Sequence, residues 1–180
     1  LLGNPKSFMY ITYNMELKAT RGKYTEVEKA YAAGAIDGEG HILIYKDDRT
    51  KNPRYKAKSP TYILIVGCTN TDVRMIDFLH CRWGACRQTR KRNRNNPHWK
   101  ITYEWTIQSR MALNFLKDIR PYLVIKGEKA DLAIAFQEGM EQRKDEKGRM
   151  RQLPPEEVQR REDIWKKLNL HRKGTHSRRD

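Results

Sequence analysis

Apolar positions along this chain switch between two spacings, and the switches mark its elements. Thr25-Glu26-Val27-Glu28 reads as a capping box, which predicts a helix from Glu26 to Ile36. Within it Ala30, Ala33 and Gly34 recur three and four residues apart, a face small enough for another helix backbone to approach. Gly38 and Gly40 then stop the helix in an Asp-Gly-Glu-Gly turn. The period changes to two at Ile42-Leu-Ile-Tyr45, a strand running towards Arg49, with Ile42 and Ile44 on one face and Leu43, Tyr45 and Asp47 on the other. Thr50 to Pro60 is a basic hairpin loop, and Thr61 to Thr69 a second strand, apolar on both faces over part of its length.

Asn70-Thr-Asp72 caps a helix with Val73, Ile76, Leu79 and Trp83 at helical spacing, ended by Gly84. Ala85 to Arg94 and Trp99 to Ile107 read as two more strands around the Asn95-Asn-Pro97 turn. Ser109 is expected to cap a helix with Ala112, Leu116 and Ile119 on one side, stopped by Pro121. Tyr122 to Ile125 is a short apolar segment, and a further helix runs from about Gly127 to Gln142. After a charged linker, Pro154-Pro155-Glu156 starts an amphipathic helix through Trp165 to Leu168. Its Trp favours bracing the core over widening a binding footprint. The order gives an α+β class, an αββαββα arrangement with a four-stranded antiparallel sheet and helices on one face. The expected divisions are an arm over 1–23, a core domain over 24–142, and a linker, helix and basic tail over 143–180.

Charge narrows the partners. The 180 residues hold 37 Lys plus Arg against 22 Asp plus Glu, a net +15. So large an excess repels itself and is retained where something anionic binds. The longest apolar run is Tyr62 to Val66, far below a membrane span, so nucleic acid is favoured over a bilayer. Three cysteines, Cys68, Cys81 and Cys86, point to a reducing intracellular compartment, cytoplasm or organelle matrix. Their spacing with His80 and His98 fits no common zinc finger, so they read as free thiols.

The basic residues gather on the two predicted hairpins. The first carries Lys46, Arg49, Lys51, Arg54, Lys56 and Lys58, beside Tyr45. The second runs from Arg82 to Lys100 without one acid: Arg82, Arg87, Arg90, Lys91, Arg92, Arg94 and Lys100. Gln88, Arg90 and Arg92 are spaced by two and share a face, so they can read base edges from a ribbon in the major groove. Loop lysines grip phosphates. Thr102 and Glu104, on the alternating last strand, complete the candidate DNA-binding set.

The candidate chemistry lies at the end of the first helix. Asp37 and Glu39 stand at a pole that is already negative, which is unfavourable without a cation there; a bound metal is the natural cause. Ala32-Ala33-Gly34-Ala35-Ile36-Asp37-Gly38-Glu39-Gly40 resembles the nine-residue signature of the LAGLIDADG homing endonucleases, with Glu where the second Asp is usual. The stretch from Tyr103 to Lys126 is similar to the family's fourth strand, third helix and a Pro-aromatic-Leu-x-x-Lys element, and the two matches span about residues 24 to 142.

The resemblance implies a saddle-shaped sheet that straddles DNA and, with one motif per chain, a homodimer on a pseudo-palindromic site. It implies Glu39 and the Gly38 carbonyl as ligands of a divalent metal, Mg²⁺ first, with Mn²⁺ or Ca²⁺ substituting for binding. Lys126 matches the active-site lysine, and Asn70 falls where a polar, water-organising residue is placed, with Arg74 nearby. Asp37 reads as a structural carboxylate of the motif, and the implied dimer contact takes Ala30, Ala33, Gly34 and Asp37. His41 lies beside the site. The function implied is an intron-encoded endonuclease that cuts both strands of double-stranded DNA. Two alternatives use the same scaffold: a maturase that binds intron RNA, and a catalytically silent DNA-binding regulator.

Overall fold

The computed structural model describes residues 22–50, 54, 59–90, 100–140 and 153–173, side chains at 86–90 and 170–173 excepted. Helix α1 (Glu26–Glu39) leads into β1 (Gly40–Asp47), which is followed by β2 (Thr61–Asn70) and α2 (Val73–Trp83). Strands β3 (Cys86–Arg90) and β4 (Thr102–Gln108) come next, then α3 (Ser109–Ile119), a single 3₁₀ turn, α4 (Gly127–Glu138) and α5 (Pro155–Lys173). The sheet is antiparallel in the order β1-β2-β4-β3.

Alternation decides what the sheet buries. Ile42 pairs with Val66 and Ile44 with Leu64, Val66 with Ile107 and Cys68 with Trp105. All of these side chains lie in the core with Ile36, Leu79, Phe115 and Phe136 of the helices. The helices therefore cover one face, and the intervening residues of each strand stand on the other. Trp105 is fully buried, and its Nε1 donates to the Gly84 carbonyl at 2.7 Å, so the indole loses no hydrogen bond on burial. Edge-on contacts carry the core from Trp105 through Phe115 to Trp83, with centroids 5.0 and 5.2 Å apart.

Three local expectations are corrected. The first helix does not end at Ile36 but runs to Glu39 and passes directly into β1, with Gly40 in extended geometry. A Cβ at Gly40 would lie 2.7 Å from the Ile36 Cα, so glycine is needed there for close approach rather than for a turn. Ser109 does not cap α3: it is the first helical residue at φ 52°, and Gln108 before it makes no side-chain cap bond. The helix after Lys126 ends at Glu138, short of Gln142. The capping box at Thr25 and Glu28 forms as expected, and Asp72 caps α2 by accepting from the Arg74 N–H.

Helix α5 is tied to the helix side of β1 and β2. Glu162 accepts from Lys46 Nζ at 2.7 Å and from the Tyr62 hydroxyl, and the Lys46 ammonium lies 4.9 Å from the Trp165 ring. Leu168 completes the seal in the core. Burial first, then Glu162, pushes the Tyr62 phenol up, so it remains a donor at any ordinary pH.

Candidate active site and nucleic-acid face

The end of α1 meets the start of α4 around one carboxylate. Asp37 Oδ2 accepts the backbone N–H groups of Val124 (2.7 Å) and Ile125 (3.1 Å), and Oδ1 accepts that of Lys126 (2.9 Å). Partial burial pushes this carboxyl up, but the three amides and the Lys126 charge outweigh it and hold it below the usual carboxylate range. Asp37 is thus occupied in fixing the 124–126 segment.

Lys126 supplies the cation that the pole of α1 requires. Its Nζ donates to the Ile36 carbonyl at 2.6 Å and to the Asp37 carbonyl at 2.7 Å, oxygens at the end of the helix. A cation was expected there and assigned to a metal; the chain's own ammonium already sits on those carbonyls. Burial lowers the Lys126 pKa, opposed first by Asp37. Glu39 is exposed at the last position of α1, and its charge is felt both at Lys126 and at the buried Cys68 thiol. Burial pushes that thiol up to about 11, with Glu39 adding to the shift and Lys126 opposing it. Glu39, Lys126 and Cys68 therefore form one electrostatic cluster, with Gly38 exposed beside it.

Asn70 lies two residues beyond Cys68, the partner of Gly40, at the same end of the sheet. Its Oδ1 accepts the Asp72 N–H at 2.8 Å, which turns the chain into α2. Arg74 is exposed and paired with the Asp72 carboxylate. His41 pairs with Gly67 on the open face, and its ring lies so close that a Cβ at Gly67 would stand 2.6 Å from Cε1. A cleft of about 480 Å³ beside the site is lined by His41, Leu43, Glu104, Lys126 and Lys129.

The predicted DNA-binding residues divide. Tyr45, Thr102 and Glu104 stand on the open face by register, with Gln88 opposite Glu104 and Arg90 opposite Thr102. Arg49, exposed, is paired with Asp47 at 2.7 Å, and Arg54 and Lys100 are exposed. Two positions fall on the helix side. Lys46 is bound to Glu162, and the Arg87 position pairs with the core residue Trp105. Arg82 leaves the basic run altogether. It is buried and joins α2 to Glu28 and the Lys23 carbonyl. Lys51, Lys56, Lys58, Lys91, Arg92 and Arg94 lie outside the described residues.

The small-residue face of α1 is also redrawn. Ala30 and Gly34 are exposed, but Ala33 is in the core and Asp37 is held by the 124–126 amides. The outward stripe is instead Val27 (79% exposed), Ala30, Tyr31 (49%) and Gly34, continued by Val124 (87%) and Ile125 (75%). Spacing of three and four from Val27 onward carried this signal in the sequence; nothing there placed Val124 and Ile125 beside it.

No family model and no curated protein matches the sequence. Solved structures do. The homing endonuclease I-TnaI superposes with a TM-score of 0.52 at 17% identity, covering 78% of this chain and 87% of that one. The homing endonuclease I-CvuI, in complex with the I-CreI target in 2 mM Mg with the DNA not cleaved, gives 0.51 at 19% identity over 80% and 96%. The archaeal intron-encoded homing endonuclease I-Vdi141I, complexed with DNA, gives 0.50 at 13% identity over 81% and 98%. At such identities the likeness is one of fold.

Proposed function

Starting from a chain with the LAGLIDADG homing endonuclease fold, we propose that it is a homodimeric, divalent-metal-dependent endonuclease that makes a site-specific double-strand break in DNA. One observation carries this reading. The exposed apolar stripe of α1 points along the helix towards its last turn, which carries Glu39, so a second copy whose α1 crosses there would bring its own Glu39 near.

The donor set fits a hard cation only in that dimer. No group of three or more ligating side chains exists among the described residues of one chain. Two Glu39 carboxylates with helix-end carbonyls such as that of Gly38 supply the oxygen ligands that Mg²⁺ prefers. When bound, such an ion polarises the scissile phosphate and lowers the pKa of water. Lys126 donates two of its three ammonium N–H groups to α1, which fixes the head and leaves one to meet a phosphate oxygen. Asp37 acts one step back, by holding the backbone of Lys126. The net charge of +15 and the open sheet face give the DNA its phosphate contacts and its base-reading surface.

The test is incubation of the protein with a long randomised duplex library, with Mg²⁺ or with EDTA, followed by sequencing of the cut ends. One pseudo-palindromic site cut with a constant stagger, and only with Mg²⁺, is expected. Metal-independent retention of DNA without cutting would replace the nuclease with a silent binder.

A further inference from the structure

The open face of the sheet is divided into an apolar half and a polar half. Leu43 pairs with Ile65 and Tyr45 with Ile63. These four alternate with Ile42, Ile44, Leu64 and Val66, all in the core, so their side chains stand away from the helices. Tyr45 is 52% exposed, and Leu43, Ile63 and Ile65 are partly exposed. On the same face β4 presents Thr102, Glu104, Thr106 and Gln108. One ribbon therefore offers methyl and ring surface, the other hydrogen-bonding groups.

Resting on the DNA-endonuclease reading, we infer that the β1–β2 face is a thymine reader, with Leu43, Ile65, Ile63 and Tyr45 packed against C5-methyl groups in each half-site. Charge complementarity selects DNA as the occupant of this face, because a chain of net charge +15 attracts a polyanion. Within the major groove the thymine methyl is the one apolar feature a base edge presents. Both pairs would lose water from their polar edge groups against this surface, but only the pair with thymine gains a methyl contact in return, so G·C is disfavoured there.

Register also places the block. The His41–Gly67 pair lies two residues from Glu39, next to the cut, and each later pair is two residues further along the strands. Two residues span ~7 Å, about two base pairs at 3.4 Å each. Leu43 and Ile65 then meet the base about two pairs outward of the His41 row, and Tyr45 and Ile63 the base about four pairs outward.

The experiment takes the site recovered from the randomised library and replaces thymine by uracil, one position at a time. That change removes the methyl and keeps every hydrogen-bonding group. Loss of one read methyl is expected to weaken binding about threefold to fivefold, at the block and nowhere else. A Leu43→Ala/Ile65→Ala variant should bind the thymine site about as weakly as wild type binds the same site with uracil at the inner position, its thymine–uracil discrimination gone there and intact at the outer position. A specific site that is cut but carries G·C at the block, or that binds equally with uracil, overturns the thymine reader and leaves the nuclease standing. A change of oligomeric state without DNA in that variant assigns the face to a second copy and also overturns it. Recovery of no site overturns both.

Discussion

Asp37 accepts three backbone N–H groups at once, and its carboxylate holds the 124–126 segment against the end of α1. Asp37→Asn keeps one oxygen and removes the charge, and the expected cost is about 1.5–3 kcal/mol in chemical denaturation. Because the folded carboxyl sits below its ordinary 3.8, its contribution is fully present above that value and is lost as pH falls through the lowered one. Wild type and variant should differ in Tm by a constant amount near neutrality and converge in acid; a gap that persists or widens in acid would contradict this. Gly40 and Gly38 give a paired test of close packing. Gly40→Ala drives a Cβ against the Ile36 backbone and should cost about 1–3 kcal/mol, whereas Gly38→Ala meets nothing within 4 Å and should leave the melting temperature unchanged or raised. The motif made both glycines legible, but only coordinates separate the one required by contact from the one that is not. The same holds for Lys126: its fixed place after Pro121-Tyr-Leu marked it, yet nothing in the sequence showed its ammonium on the carbonyls of α1.

The elements themselves were largely readable, because caps and periods act locally. The Thr25 box, the Asp72 cap and the alternation of β1 and β4 all form where the residues place them. Long-range pairings were not readable. Lys46 belongs to a basic hairpin in sequence but is bound to Glu162, 116 residues away, and so faces the helices. Strand β2 is apolar on both faces, and only its pairing with β1 and β4 decides that Leu64 is core and Ile65 is not. The latch of α5 follows from the same contact. Glu162→Ala strands the Lys46 ammonium and the Tyr62 hydroxyl, and should cost about 1.5–3 kcal/mol with earlier proteolytic cutting at α5. Proteolysis at the wild-type rate would show that the Glu162 contacts do not hold the helix in place.

At the scale of the molecule, the proposed cutting calls for a second copy. An apolar stripe of Val27, Ala30, Tyr31 and Gly34, with Val124 and Ile125 beyond it, is unfavourable in water, and the proposed dimer would cover it. Val27→Asp with Ile125→Asp should give a monomer by light scattering that melts as a folded protein and does not cut. A dimer that survives both charges would move the interface elsewhere. The most direct measurement is cleavage by Glu39→Gln on the recovered duplex, with binding followed on the same DNA. Binding within about twofold is expected, with cutting slower on the order of a thousandfold, since the amide keeps the shape and removes the charge proposed to hold the metal. Cutting at the wild-type rate would contradict it.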